Sequence, residues 1–366
     1  MDFAFTEEQE MLRSQARAFL DEKFPPDRVA EIATTDDLGG HDMAWRELAE
    51  LGWVGLSVPE GEGGAGMSFL EEAVLFEETG RALYPGPYFS TVGLCLPLLS
   101  GDLLEPVLSG ERSATLAWAE PSSPRGLAQT DELSTKAEPS NGEWAITGEK
   151  HVVPIGGHGG VVLVVAAAPE GAGVWAVELG SSGVSGSELS TMDGTRRLAR
   201  IELSGAPARL LVPPGEAEAA LQAVRLRALA ALALEAVGVA TKAHELAMEH
   251  VKTRKQFDKA IGSYQAVSHQ VADMYVETEL ARSLAYWAAW CVANDPDQAP
   301  VAVAAAKAAA SEAAVGACER AIQVHGGIGF TWEHPLHLYY KRAQWIDSFE
   351  GFGATHRATV ASALLD

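Results

Sequence analysis

Arg254, Lys255 and Lys259 gather in one short stretch, "TRKQFDKAIGSYQAVSHQ", of a chain in which 27 basic residues face 50 acidic ones. Arg254 is followed by Gln256 and Phe257. A guanidinium can pair with phosphate oxygens, and an aromatic face beside it can stack on a base, so the set is equipped to hold a diphosphate nucleotide. The same cations also suit a helix C-terminus, where they answer the dipole. A second stretch, "QVHGGIGFTWEHP" at 323–335, sets Gly326 and Gly327 side by side with Gly329 close behind. One glycine ends a helix in the left-handed conformation at little steric cost. The further glycines leave backbone bare, as a ligand lying against it would require. Two such places suit a long, bent ligand with phosphates in its middle.

Other motifs fail on inspection. "GEGGAG" at 61–66 satisfies the dinucleotide glycine pattern, but Pro59, Glu60 and Glu62 put fixed negative charge in the loop and its neighbours read as helical. A structural turn is the expectation there. Glu333, His334 and His337 offer metal-ligand types, yet Pro335 interrupts the helix that would align them, so no metal is expected.

These residues need elements to hold them. The chain has 366 residues, 47% hydrophobic and 21% charged, enough for two or three domains and a large core. A formal net charge of −23 argues against nucleic acid and anionic membrane as partners. The first 20 residues carry acids where a secretory signal carries bases, and no apolar run reads as a bilayer span. Three scattered cysteines give no disulfide framework. A cytoplasmic protein is expected.

Between 116 and 215 lie 15 of the 36 glycines. "VVLVVAAA" at 161–168, "VWAVEL" at 174–179 and "RLARIELSG" at 197–205 predict strands, and Asn141-Gly142 predicts a hairpin turn. On either side the apolar spacing is helical. Thr6 predicts an N-cap, with Glu7 and Glu8 in the first turn behind it. Beyond 216, long helices are predicted over 216–254, 264–293 and 300–324, with a shorter one over 335–348. The order is helical, β, helical.

On "LGWVGLSVPEGEGGAGMSF", "RKQFDKAIGSYQA" and "QVHGGIGFTWEHPLHLYYKRA", the chain resembles the acyl-CoA dehydrogenase family of flavoproteins along essentially its whole length. The resemblance implies an α+β multidomain fold: an N-terminal helical domain at 1–115, a middle β-barrel at 116–215 and a C-terminal four-helix bundle at 216–366. It implies FAD lying across a subunit interface, hence a homo- or hetero-tetramer. The nucleotide roles fall on Arg254, Gln256, Phe257 and Gln265 of one chain and on Gln323, Gly326 and Gly327 of another. It implies an acyl-CoA substrate and an electron-transfer flavoprotein or similar acceptor.

The family chemistry removes the α-proton of an acyl thioester with a carboxylate while flavin N5 takes the β-hydride. The family's base position, 25 residues past the residue before the Gly-Gly pair, falls on Glu350 in "SFEGFG". Other members place the base on the first bundle helix, where this chain has Ala228 and Leu229. The middle segment departs from the family. Val152 stands for the Trp that packs on the flavin ring and Pro154 for the hydroxyl residue near N5, while "AEPSSPRG" at 119–126 keeps only Glu120-Pro121 of its motif. Three readings follow: a homo-oligomeric dehydrogenase, one subunit of a hetero-oligomer of the steroid type, and a non-catalytic partner or scaffold that completes another chain's FAD site.

Overall fold

The structure is a computed structural model that describes residues 5–35, 43–121, 126–140, 142–155 and 160–365. Thr6 caps α1 (Glu7–Lys23): its hydroxyl accepts the Gln9 N–H at 3.2 Å, and the Gln9 side chain accepts the Thr6 N–H at 3.1 Å. α2 (Pro26–Thr34), α3 (Trp45–Glu50) and α4 (Phe69–Arg81) follow. A second capping box, Ser68 with Glu71, starts α4. That helix is buried nearly all round, including Glu72, Glu77, Glu78 and Arg81. Burying charge is costly unless it is paired. Each of the four has a partner: Glu72 with Arg227, Glu77 with Arg282, Glu78 with Arg17, and Arg81 with Asp21 and Glu245. The 61–66 glycine stretch is a turn folded back on the backbone of Val58, where a Cβ at Gly64 would come 2.6 Å from the Val58 carbonyl carbon. A π-helical turn at Phe89–Cys95 and the short α5 (Glu105–Leu108) lead to the sheet.

Among the described residues the central sheet has seven strands: β1 (Ser113–Ala117), β2 (Lys136–Ser140), β3 (Glu143–Ile155), β4 (Gly160–Ala168), β5 (Gly171–Glu178), β6 (Val184–Leu189) and β7 (Arg197–Val212). Pairing runs β1-β4-β2-β3-β7-β5, β4 also pairs β5, and β6 pairs β7. β1 lies parallel to β4, and β2 and β3 form a hairpin closed at Ser140 opposite Glu143. Gly142 supplies the positive φ that its turn needs; Asn141 lies outside the described residues. Alternate residues of the strands form an inner core around Trp175, Ile146, Val164 and Ile201, all fully buried or nearly so. The opposite face of the sheet joins the N-terminal helices and the bundle in one continuous core.

The bundle comprises α6 (Ala217–Thr253), α7 (Gln265–Asn294), α8 (Ala299–His325) and α9 (Leu336–Ser348), with α10 (Gly353–Leu365) against α8. α8 presents Ala302, Ala306, Ala310, Ala314, Ala317 and Ala321 to the interior, so its neighbours approach closely. The residues Ala299–Phe330 are long and apolar enough to cross a bilayer by composition, which corrects the expectation that no stretch is; 67% of that apolar window is buried inside the fold. Close approach also defines the α4–α6 contact. A Cβ on Gly80 would come 2.6 Å from the Glu235 Cα, and one on Gly238 would come 2.6 Å from the Arg81 nitrogen.

Candidate functional site

Glu350 sits where α9 has ended and α10 has not begun. Phe349 caps α9, and its ring meets Phe89, Trp118 and Trp345 edge-on or tilted, with centroids 5.7, 5.9 and 5.4 Å away. The next residue therefore has a defined origin. Glu350 itself has φ 58°, a left-handed conformation that costs a non-glycine residue about 1–2 kcal/mol. Two contacts offset that cost. Arg225 Nε donates to Oε2 at 2.7 Å, and the Leu127 N–H donates to Oε1 at 2.7 Å. Hydrogen bonds to a charged group contribute about 1.5–3 kcal/mol each. The carboxylate is only 5% exposed.

It lies in a cavity of about 1220 Å³ between the sheet and the bundle. Trp118, Trp345 and Phe349 form an aromatic wall, while Glu218, Gln222 and Arg225 line it from one face of α6 at helical spacing. Beneath the Glu350 turn are two buried basic side chains. Burial pushes Lys307 down to about 8, against the pull of Asp347 and Glu350. Burial, with Lys307 and Arg225 nearby, pushes His356 down to about 4. Lys307 Nζ donates to the Asp347 carbonyl at 3.3 Å, and the His356 ring bonds the Gly351 carbonyl at 3.0 Å.

Val152 reaches the same cavity. Between Lys150 and Val153 the pairing of β3 with β7 slips by one residue, and this bulge carries Val152 at φ 49° with 41% of its surface exposed. A β-branched residue at positive φ is a genuine outlier, and bulges of this kind re-aim a side chain beside a site. Buried polar residues behind the bulge explain how it is held. Lys150, fully buried, donates to Glu120 Oε1 at 2.8 Å and to the Trp118 carbonyl at 3.2 Å. Glu120 also accepts from the Ser134 N–H and hydroxyl and from the Thr135 N–H. The His151 N–H donates to the Ala119 carbonyl at 2.9 Å. Pro154 has no N–H to offer, and its carbonyl accepts from the Thr115 hydroxyl.

The remaining predicted residues lie far from Glu350. Arg254 caps the C-terminus of α6; Gln256 follows, paired with Lys259 across a two-residue hairpin turn made by Phe257 at φ 51° and Asp258 at φ 62°. Both central residues of such a turn require positive φ, which Asp tolerates and Phe does not favour. The Phe257 ring is nonetheless 87% exposed. Gln265 opens α7, Gln323 lies on the last turn of α8, and Gly326 and Gly327 follow it, all exposed. The resemblance divides these residues between two chains; in this chain they share one end of the bundle, where the His250 ring stacks on His325 at 4.2 Å and His334 follows at 4.4 Å. Gly329 is needed for packing, since a Cβ there would come 2.7 Å from the Ile322 carbonyl oxygen. Gly326 has the positive φ of a helix stop, but a Cβ on Gly327 would meet nothing within 4 Å and its φ is ordinary. Nothing among the described residues requires Gly327 to be bare.

About 29 residues of α6 separate Arg225 from Arg254, so at about 1.5 Å per residue the two ends are roughly 43 Å apart. That is farther than one dinucleotide spans. Sequence reasoning missed Arg225, Trp118 and Trp345, and no local signal could have found Arg225, which meets Glu350 across 125 residues of chain.

The chain matches the N-terminal domain of acyl-CoA dehydrogenases over residues 6–100 and their C-terminal domain over residues 219–365. It is 35% identical to the acyl-CoA dehydrogenase IpdE2 of Mycobacterium tuberculosis, over 92% of this chain and 91% of that protein. Among solved structures it resembles the Tcur3481-Tcur3483 steroid acyl-CoA dehydrogenase G363A variant, with TM-score 0.84, 30% identity and 98% of both chains covered. It also resembles the ChsE4-ChsE5 complex of M. tuberculosis, with TM-score 0.85, 26% identity, 100% of this chain and 99% of that one. With its helical flanks, its central sheet and both family domains matched, the chain is a member of the acyl-CoA dehydrogenase family.

Proposed function

We propose that this chain is an FAD-dependent acyl-CoA dehydrogenase that works as one subunit of a mixed oligomer, with Glu350 as the base. The observation that carries the proposal is the placement of Glu350, buried at the base of a cavity large enough for a tricyclic ring and a bulky acyl group. Glu350 would take the α-proton of the thioester; a weak base of this kind works when its site is dry and the substrate is held against it. When bound, FAD supplies the acceptor for the β-hydride.

The residues present fit the cofactor unequally. At the nucleotide end, Arg254 with the exposed Phe257 ring and the bare Gly327 fit a diphosphate and a base approaching from outside. The roughly 43 Å between that end and Glu350 means that they would serve a flavin seated in another chain's cavity. At the ring end the volume suits the flavin, but Val152 and Pro154 offer neither an aromatic face nor a donor. A partner chain that completes the ring site accounts for both features. An electron-transfer flavoprotein is the acceptor this reading calls for. The names of the two solved relatives, a two-component steroid enzyme and a two-component complex, are in keeping with it.

The Val152 and Pro154 substitutions also favour a second reading, in which this chain only completes a partner's flavin site. Flavin stoichiometry and Glu350→Gln separate the two. The proposal expects little flavin on the chain alone, flavin on co-expression with its partner, and loss of turnover in Glu350→Gln with flavin retained. Turnover unchanged in Glu350→Gln would leave the non-catalytic reading.

A further inference from the structure

Resting on Glu350 as the base, we propose that Arg225 is its positioning residue, holding the carboxylate through Nε so that free lone pairs on both oxygens face the cavity. Each carboxylate oxygen has two acceptor positions, and each here uses one, Oε2 for Arg225 and Oε1 for the Leu127 N–H. Gly126 makes room for this arrangement, since a Cβ there would come 3.2 Å from Oε2. The nearby basic side chains are committed elsewhere: Lys307 bonds the Asp347 carbonyl and His356 the Gly351 carbonyl. Among the described residues Arg225 is therefore the one side chain that hydrogen-bonds the carboxylate.

The arm that carries Arg225 is well braced. Val224 and Ala228 on the same stretch of α6 are fully buried, so the guanidinium projects from a fixed helix face. Its Nη groups make no hydrogen bond among the described residues, and the side chain lines the cavity. A pair that merely tied α6 to the α9–α10 turn would have no need of a glycine at 126 or of a carboxylate reaching the cavity. A base with a flexible side chain loses rate when it is free to turn away, because reaction needs close and aligned atoms.

The test uses the flavin-loaded assembly and measures kcat, KM, exchange of the substrate α-protons with D2O by NMR, and the urea midpoint. Arg225→Gln is expected to lower kcat and α-proton exchange together, roughly 10- to 100-fold, with KM changed by less than about 3-fold. Arg225→Lys is expected to recover most of the loss. Gly126→Ala, which crowds Oε2 and leaves Arg225 in place, is expected to lower kcat in the same sense by a smaller factor, and it carries the test if Arg225→Gln fails to fold. Wild-type kcat and exchange in Arg225→Gln, or a lowered urea midpoint with kcat unchanged, would overturn the proposal. Glu350→Gln run alongside separates the two assignments. If it keeps turnover, the assignment of the base falls. If it is inactive while Arg225→Gln is normal, only the role of Arg225 falls.

Discussion

The Glu120–Lys150 pair holds the wall of the cavity from behind, and its removal can be worked through from the structure. Three contacts from Ser134 and Thr135 add to Lys150 in holding the Glu120 carboxyl down to about 2, against the burial that raises it. Burial forces Lys150 down to about 8, against the pull of Glu120. The carboxyl favours folding by about 3 kcal/mol at neutral pH, a contribution present above pH 4.5 and lost as pH falls toward 2. The lysine opposes folding by about the same amount below pH 8, and the penalty is relieved as pH rises toward 10.5. Replacing both partners of a buried ion pair with apolar groups is often near neutral, whereas removing one of them is costly. Glu120→Gln removes the favourable half and leaves an ammonium buried beside the Trp118 carbonyl. The expected loss is about 3–5 kcal/mol by urea denaturation at pH 7, with weaker retention of flavin because Trp118 and Val152 lose their anchor. Adding Lys150→Met is expected to bring stability back to within about 2 kcal/mol of wild type. A single variant within about 1 kcal/mol of wild type, or a double variant no better than the single, would refute this reasoning.

Two further outcomes follow from the geometry. Gly327→Ala is expected to leave the urea midpoint unchanged while weakening flavin retention of the assembly, whereas Gly329→Ala, facing the Ile322 carbonyl, is expected to cost about 1–3 kcal/mol of stability; equal effects of the two on stability would remove the argument that Gly327 serves something outside the chain. His356 is buried and depressed to about 4 from an ordinary 6.5, so its contribution is present above pH 6.5 and lost as pH falls toward 4. Urea titrations over that range are expected to lose about 2–3 kcal/mol more in wild type than in His356→Gln, and parallel slopes would contradict it.

Local signals were legible where one stretch of chain settles its own conformation. Thr6 and Gln9 cap α1 as their types allow, the long helices begin and end close to their Pro and Gly marks, and β2 and β3 pair with Ser140 opposite Glu143 on either side of Gly142. Elements settled by distant partners were not. β1 is five residues long and pairs in parallel with β4 more than forty residues on, and β6 is an edge strand of small and polar residues with no apolar face to read. The bulge at 151–152 follows from how β3 must meet β7, not from "KHVVP" itself.

The candidate site divides in the same way. Sequence alone determined the residue types of two candidate groups: Arg254, Phe257 and the glycines in one, Glu350 in the other. Their chemistry and their places in a family pattern need no coordinates. Only the tertiary structure decided that the two groups lie roughly 43 Å apart on one chain, because a helix of this length is a rigid rod that sequence spacing along a folded path does not reveal. Only the tertiary structure brought Arg225 and the Leu127 amide, 125 and 223 residues away in sequence, to the two oxygens of Glu350. A carboxylate is written in one residue; the group that aims it comes from wherever the packing of helices against the sheet places a donor.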